Sequence, residues 1–266
     1  MSDAFSPPAE WLAEAVRWAH AVGEIHLSYL EGRDKQVEHK GEIDLVTAAD
    51  KAAEEYLIAR IQETFPVHDY VAEEGHRKST GQALAWYIDP LDGTTNFAHG
   101  YPVFCVSIAL VHDGRPVLGV VHDPCRRETF TAVRGGGAHL NGKPLEVSAV
   151  ATLKQALLCS GFPYAFAQDP RNLRLWGAFL HASLSVRRDG SAALDLCAVA
   201  AGRFDGFWEL GLNGWDVAAG AVIVEEAGGR VSMFGGAPLD VNGREIIATN
   251  GRLHAAMQEL IKEHGV

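Results

Sequence analysis

The stretch Leu84-Ala85-Trp86-Tyr87-Ile88-Asp89-Pro90-Leu91-Asp92-Gly93-Thr94-Thr95-Asn96 reads as a buried strand that opens into a turn. Leu84–Ile88 is the apolar strand. Two carboxylates, Asp89 and Asp92, follow where it meets a Gly-Thr turn. Carboxylate and carbonyl oxygens are the hard ligands that Mg²⁺ prefers. Asp89 and Asp92 can each offer an oxygen to adjacent ions, with the Leu91 carbonyl as a neutral donor. Gly93 allows close backbone approach, and the N–H groups of Gly93 and Thr94 lie where a helix N-terminus would meet phosphate. The stretch points toward metal-dependent phosphate chemistry.

On its N-terminal side, Pro7-Pro8 suits a helix start, and Trp11, Ala15, Val16, Ala19, Val22 and Ile25 repeat at helical spacing. A second helix is expected from Thr47 to about Phe65, with Thr47 and Asp50 forming a capping box. A short strand, Tyr70-Val71-Ala72, ends at Glu73, and the strand over Trp86–Ile88 ends at Asp89. Val103–Val111 and Val117–Val121 flank the hairpin signal Asp113-Gly114. A strand at 128–133 completes an antiparallel sheet beside two helices.

The remainder alternates: strands at 156–159, 184–186, 204–209 and 245–248, helices at 172–181, 191–201 and 216–227, and a final helix. Such alternation implies a layered α/β lobe. We expect an α+β lobe over residues 1–148, carrying most candidate metal ligands, and an α/β lobe over 149–266, carrying Asp216 and a substrate loop.

The chain has 266 residues, 47 % hydrophobic and 21 % charged, enough for a sizeable core. Its net charge of −11 argues against nucleic acid as a partner, because polyanions need clustered Lys and Arg. If the substrate is also anionic, a cation must neutralise the site. The four cysteines show no CxxC spacing, which fits buried reduced thiols in a cytoplasmic protein. Neither a signal peptide nor a membrane-length apolar run is read.

Two further segments bring acids to strand or helix ends: Glu73-Glu74-Gly75 and Gly214-Trp215-Asp216. An EF-hand is excluded, because acids do not alternate and no terminal glutamate follows. The aspartyl-phosphate route of haloacid-dehalogenase phosphatases uses Asp-x-Asp. Here two residues separate Asp89 from Asp92, which favours a metal-activated water. The twelve histidines show no HxxxH or HxH spacing. His99 suits an exposed loop, and Arg187-Arg188 is read either as a solvated pair or as reaching a second phosphate or a neighbouring subunit.

Together, Asp44-Leu45-Val46-Thr47-Ala48-Ala49-Asp50, Glu73-Glu74, Asp89–Asn96 and Trp215-Asp216-Val217-Ala218-Ala219-Gly220 resemble the inositol monophosphatase family in order and separation across almost the whole chain. Arg187–Asp195 and Gly206-Phe207-Trp208-Glu209 are most similar to its bacterial branch. The resemblance implies a layered αβαβα sandwich of the sugar-phosphatase type (inositol monophosphatase and fructose-1,6-bisphosphatase). It also implies lithium-sensitive hydrolysis of a phosphomonoester with two or three Mg²⁺ ions (Mn²⁺ as an alternative) and a homodimer as the common state.

Under that resemblance Glu73, Asp89 and the Leu91 carbonyl would hold one ion, and Asp89, Asp92 and Asp216 a second. A weaker third ion would rest on Glu73 and waters. Thr94 and Asp50 would orient the attacking water, with Asp44 near them. Asp92, Gly93, Thr94, Gly190, Ser191, Ala192, Glu209 and Asp216 would contact a small phosphate ester, Glu209 through substrate hydroxyls. That glutamate favours a polyol or sugar phosphate such as inositol monophosphate. The related substrates fructose 1,6-bisphosphate, histidinol phosphate and 3′-phosphoadenosine 5′-phosphate are alternatives, and so is a regulatory binding protein on the same scaffold.

Overall fold

The structure, a computed structural model, describes residues 5–31, 38–39, 45–162 and 169–265. Helix α1 (Ala9–Glu31) turns Ala15, Trp18, Ala19 and Val22 inward. Strands β1 (Glu38–His39) and β2 (Leu45–Val46) pair antiparallel, ahead of α2 (Ala48–Thr64). The Thr47 hydroxyl accepts from the N–H of Ala49, and the Thr47 N–H donates to Asp50 Oδ2 at 2.8 Å, so the expected capping box forms. Asp44 lies outside the described residues.

Strands β3 (Asp69–Ala72), β4 (Arg77–Lys78) and β5 (Leu84–Asp92) follow, then α3 (Thr94–Ala98). Next come β6 (Cys105–His112), β7 (Arg115–Asp123), β8 (Glu128–Val133), β9 (Ala138–Leu140) and β10 (Lys143–Pro144). These strands form an eight-stranded sheet in the order β10-β9-β8-β7-β6-β5-β3-β4. Asp113 and Gly114 both take positive φ in the β6–β7 turn, as a two-residue hairpin requires.

Two details depart from the sequence expectation. The sheet is not purely antiparallel, because β3 runs parallel to β5. Asp69 accepts from the N–H groups of Thr80, Gly81 and Gln82 at 2.9–3.0 Å, which returns the chain to the start of β3 before β5 begins. In addition, β5 continues past Asp89 to Asp92 through a register shift: Asp89 pairs with Ser107, and Asp92 with Cys105. Two residues therefore face one, a β-bulge.

The second half contains β11 (Leu157–Ser160), α4 (Arg171–Ala182), β12 (Ser185–Arg187), α5 (Ala192–Ala200) and β13 (Gly206–Leu210). It ends with α6 (Gly214–Glu226), β14 (Arg230–Ser232), β15 (Glu245–Thr249) and α7 (His254–Glu263). Its five-stranded sheet is ordered β12-β11-β13-β15-β14. Strand β14 escaped the sequence reading, since Arg230-Val231-Ser232 is too short to show a period.

Three buried clusters define the layers. Trp18, Leu57, Trp86, Ile88 and Val120 join α1 and α2 to one face of the large sheet. Ala109, Val121, Leu196, Val222, Phe207 and Ala248 join its other face, through α5 and α6, to the small sheet. Leu175, Phe179, Trp208, Ile247 and Met257 join the small sheet's far face to α4 and α7. The result is the expected αβαβα sandwich. Helix α6 reaches the large sheet closely because Gly119 on β7 has no side chain: a Cβ there would lie 2.6 Å from the Ala219 carbonyl oxygen. Among the described residues no helix is long and apolar enough to cross a membrane.

Candidate active site

The bulge of β5 and the N-termini of three helices face one cavity of about 480 Å³. Glu73, Asp89, Leu91, Asp92, Gly93, Thr94, Gly190, Ser191, Ala192, Glu209 and Asp216 all line it, brought together from three separate parts of the chain.

Hydrogen bonds from several elements hold the residues that carry these carboxylates. Asp89, 2 % exposed, accepts from the Leu91 N–H at 2.9 Å. Asp92 Oδ2 accepts from the Ser191 hydroxyl at 2.6 Å and the Ala193 N–H at 2.7 Å, so the first turn of α5 grips it. Asp216 Oδ2 accepts from the Asn213 N–H at 2.6 Å, at the start of α6. That helix begins at Gly214, two residues earlier than expected, and Asp216 lies in its first turn. Glu73 follows β3, and its own N–H donates to the Ile88 carbonyl at 3.2 Å, which holds it beside Asp89.

Burial and repulsion set the charge state of the group. Burial, then the charges of Glu73, Asp92 and Asp216, push the Asp89 carboxyl well above the usual carboxylate range. Burial, with Asp92 adding repulsion, raises Asp216 to about 7. Burial raises Asp92 as well, opposed by its bonds to Ser191 and α5. Among the described residues no three His, Cys, Asp or Glu side chains are gathered so as to hold a metal ion as they stand. The donor chemistry nevertheless suits a hard divalent cation: the set consists of four carboxylates and a carbonyl, all oxygen.

Thr94 opens α3 behind a left-handed Gly93 at φ 97°. A Cβ on Gly93 would lie 2.8 Å from the Val103 carbonyl oxygen, so the turn admits only glycine without displacing backbone. The Thr94 hydroxyl has two acceptors, Asp50 Oδ1 at 3.1 Å and the Leu91 carbonyl at 3.0 Å. Asp50 is fully buried, and burial raises its carboxyl, opposed by Thr47 and Thr94. It therefore caps α2 and meets Thr94 at once.

On the opposite wall, burial raises Glu209 to about 8, opposed mainly by Arg188. Arg188 lines the cavity, whereas Arg187 turns back to Ser185 and the Val186 carbonyl. Asn96 Nδ2 donates to the carbonyls of Val103 and Asp189 at 2.8 and 2.9 Å, holding the Gly190 loop against the Gly93 turn. Exposed His99 bonds back to the Thr95 carbonyl.

Several residues were missed in the sequence. Asp195 and Arg244 line the cavity, and burial pushes Asp195 well above the carboxylate range. The motif Arg187–Asp195 contained Asp195, but its position one helical turn after Ser191 gave no sign of exposure to the cavity. Glu54, 1 % exposed on α2, accepts from the N–H groups of Glu74 and His76 at 2.7 and 3.1 Å and braces the Glu73 turn. Glu54 follows Asp50 by four residues, so one helix face serves both sides of the site.

Acid-lined cavity, helix N-termini and layered sandwich together define a phosphate-handling α/β protein class. The inositol monophosphatase family model matches residues 8–265, and the chain belongs to that family. It is 45 % identical over 262 residues to the inositol-1-monophosphatase of Synechocystis, covering 97 % of this chain and 91 % of that protein. It is 45 % identical over 246 residues to Nus factor SuhB of Escherichia coli, covering 91 % and 92 %. The solved inositol monophosphatase of Anabaena superposes with a TM-score of 0.88 at 41 % identity, covering 96 % of each chain.

Proposed function

We propose that this protein is a Mg²⁺-dependent phosphomonoesterase acting on inositol monophosphate or a similar polyol phosphate. The observation that carries the reading is the convergence of Glu73, Asp89, Asp92 and Asp216 on one cavity beside the α3 N-terminus. Glu73, Asp89 and the Leu91 carbonyl would hold one ion, and Asp89, Asp92 and Asp216 a second. When bound, the ions neutralise the phosphate and lower the pKa of a water.

The chain's own groups supply positioning. The Thr94 hydroxyl accepts a hydrogen bond from the attacking water and donates its own hydrogen to Asp50, whose burial favours taking up a proton. The N–H groups of Gly93 and Thr94 meet phosphate oxygens. Glu209, whose carboxyl burial raises to about 8, lines the cavity as a partner for a polyol hydroxyl, with Arg188 lining the same cavity. Such pairing selects against substrates lacking those hydroxyls.

Phosphate release from inositol 1-phosphate, with Mg²⁺ or Mn²⁺ and with added Li⁺, tests the reading. A folded protein with no metal-dependent turnover on any phosphomonoester overturns it. A kcat/KM ranking that strongly favours fructose 1,6-bisphosphate, histidinol phosphate or 3′-phosphoadenosine 5′-phosphate overturns the polyol assignment alone. The relatives named Nus factor SuhB support a second, regulatory binding role on the same scaffold. Partners retained by an inactive Asp89→Asn variant would separate that role from catalysis.

A further inference from the structure

Pro90 and Leu91 are the two residues of the β5 bulge between the paired Asp89 and Asp92. Their shared peptide is trans, so the Pro90 carbonyl and the Leu91 N–H point in opposite directions. On one side the Leu91 N–H donates to Asp89 Oδ1 at 2.9 Å. On the other, the Pro90 carbonyl accepts from His26 Nε2 at 2.8 Å.

His26 belongs to α1, sixty-four residues away in sequence, and is fully buried. Its ring stands edge-on to Phe97 and Phe104, at centroid distances of 6.3 and 5.9 Å. A carbonyl can only accept, so Nε2 carries the hydrogen and Nδ1 is the bare nitrogen. Among the described residues that buried Nδ1 has no hydrogen-bond partner. An unpaired buried acceptor costs free energy that an apolar side chain would avoid. Among the described residues the ring's one hydrogen bond is the one to Pro90.

We propose that His26 is a positioning residue for Asp89. By fixing the Pro90 carbonyl it sets the plane of the 90–91 peptide. That plane aims the Leu91 N–H at Asp89 Oδ1 and holds the carboxylate in one orientation toward the cavity. With the bond removed, the bulged peptide can rotate, and Asp89 loses its fixed donor. The inference rests on Asp89 being a metal ligand, as proposed above.

Mn²⁺ binding by the full chain, measured by calorimetry and electron paramagnetic resonance, tests it in His26→Leu, His26→Gln and Asp89→Asn. His26→Leu is expected to weaken Mn²⁺ binding roughly 10–100-fold, the range for losing a group that orients a metal ligand. Its kcat falls at saturating Mn²⁺, while KM for the phosphomonoester stays near wild type. His26→Gln keeps a donor at about the reach of Nε2 and restores most of the affinity. Wild-type Mn²⁺ affinity in His26→Leu, or equal weakening in both His26 variants, overturns the inference. If Asp89→Asn also binds Mn²⁺ as wild type does, the metal reading falls with it; if Asp89→Asn alone loses binding, only the role of His26 falls. Should His26→Leu not fold, His26→Gln against His26→Asn, which is too short to reach Pro90, decides the same question.

Discussion

The Thr94 hydroxyl lies 3.1 Å from Asp50 Oδ1, so the first turn of α3 meets the first turn of α2 through one hydrogen bond. Asp50 Oδ2 is already engaged by the Thr47 N–H. The carboxylate is thus held by its own helix cap with one oxygen left for Thr94. A helix cap thus fixes the geometry of the proposed proton relay.

Thr94→Val keeps the side-chain shape and removes the hydroxyl. The expected result is a loss of roughly 10²–10⁴-fold in kcat, the usual contribution of a positioned proton-transfer group. KM should change little, and stability should fall by about 1–3 kcal/mol from the unpaired Asp50 oxygen. Thr94→Ser should recover most of the rate. Steady-state kinetics and thermal melts check both; a fully active Thr94→Val variant removes Thr94 from the relay.

Asp89→Asn removes one ionisable carboxyl from a group of four, of which Asp89 is buried and Glu73, Asp92 and Asp216 are partly exposed. Repulsion from Glu73, Asp92 and Asp216 is part of what raises Asp89, so the variant should melt no lower than wild type in the absence of metal. Wild type should gain about 2.7 kcal/mol of stability from Mg²⁺ at a hundredfold excess over its Kd. Asp89→Asn should gain far less, with kcat reduced by orders of magnitude. Melting with and without Mg²⁺ measures this directly. Equal Mg²⁺ stabilisation of the two proteins would take Asp89 out of the ligand set.

Glu209 gives a pH dependence with a definite sign. Its carboxyl is held at about 8 in the folded chain, against an ordinary value of 4.5. Between those values the unfolded chain has released the proton and the folded chain retains it. The folded state then binds more protons, and stability falls as pH rises through that window. Below 4.5 both states are protonated, and the penalty vanishes. Glu209→Gln should therefore raise the melting temperature by a few degrees at pH 8 and leave it nearly unchanged at pH 5. A gain of equal size at both pH values would mean that charge burial is not the cause.

Local chemistry was legible in the sequence. Asp89, Leu91, Asp92 and Gly93 fall within five consecutive positions, and Thr47 and Asp50 lie within one helical turn, so their geometry follows from short-range backbone rules. The alternation of apolar runs likewise carried the layers. Contacts made across the sandwich were not legible. His26 meets Pro90 from sixty-four residues away, and Glu54 reaches Glu74 across twenty. Neither sits in a pattern that differs from an ordinary helix face. The parallel β3–β5 pair was hidden for the same reason, since Asp69 directs the returning loop through backbone N–H groups that any sequence supplies.

The closeness of α6 to the large sheet gives a last test, on two glycines. Gly119 sits under α6, and a Cβ there would lie 2.6 Å from the Ala219 carbonyl and 2.8 Å from Val222 Cγ1. The nearest atom is helix backbone, which cannot swing aside as a long side chain would. Gly119→Ala should cost about 1–3 kcal/mol by overpacking. Because α6 carries Asp216 at its N-terminus, the shift should also weaken Mg²⁺ binding. At Gly177, within α4, a Cβ would meet nothing within 4 Å. Gly177→Ala should therefore stabilise the protein by roughly 0.5–1 kcal/mol, the ordinary helix preference for alanine. Urea unfolding of the two variants measures both. Opposite signs are expected, and a harmless Gly119→Ala would mean that α6 is free to move off the sheet.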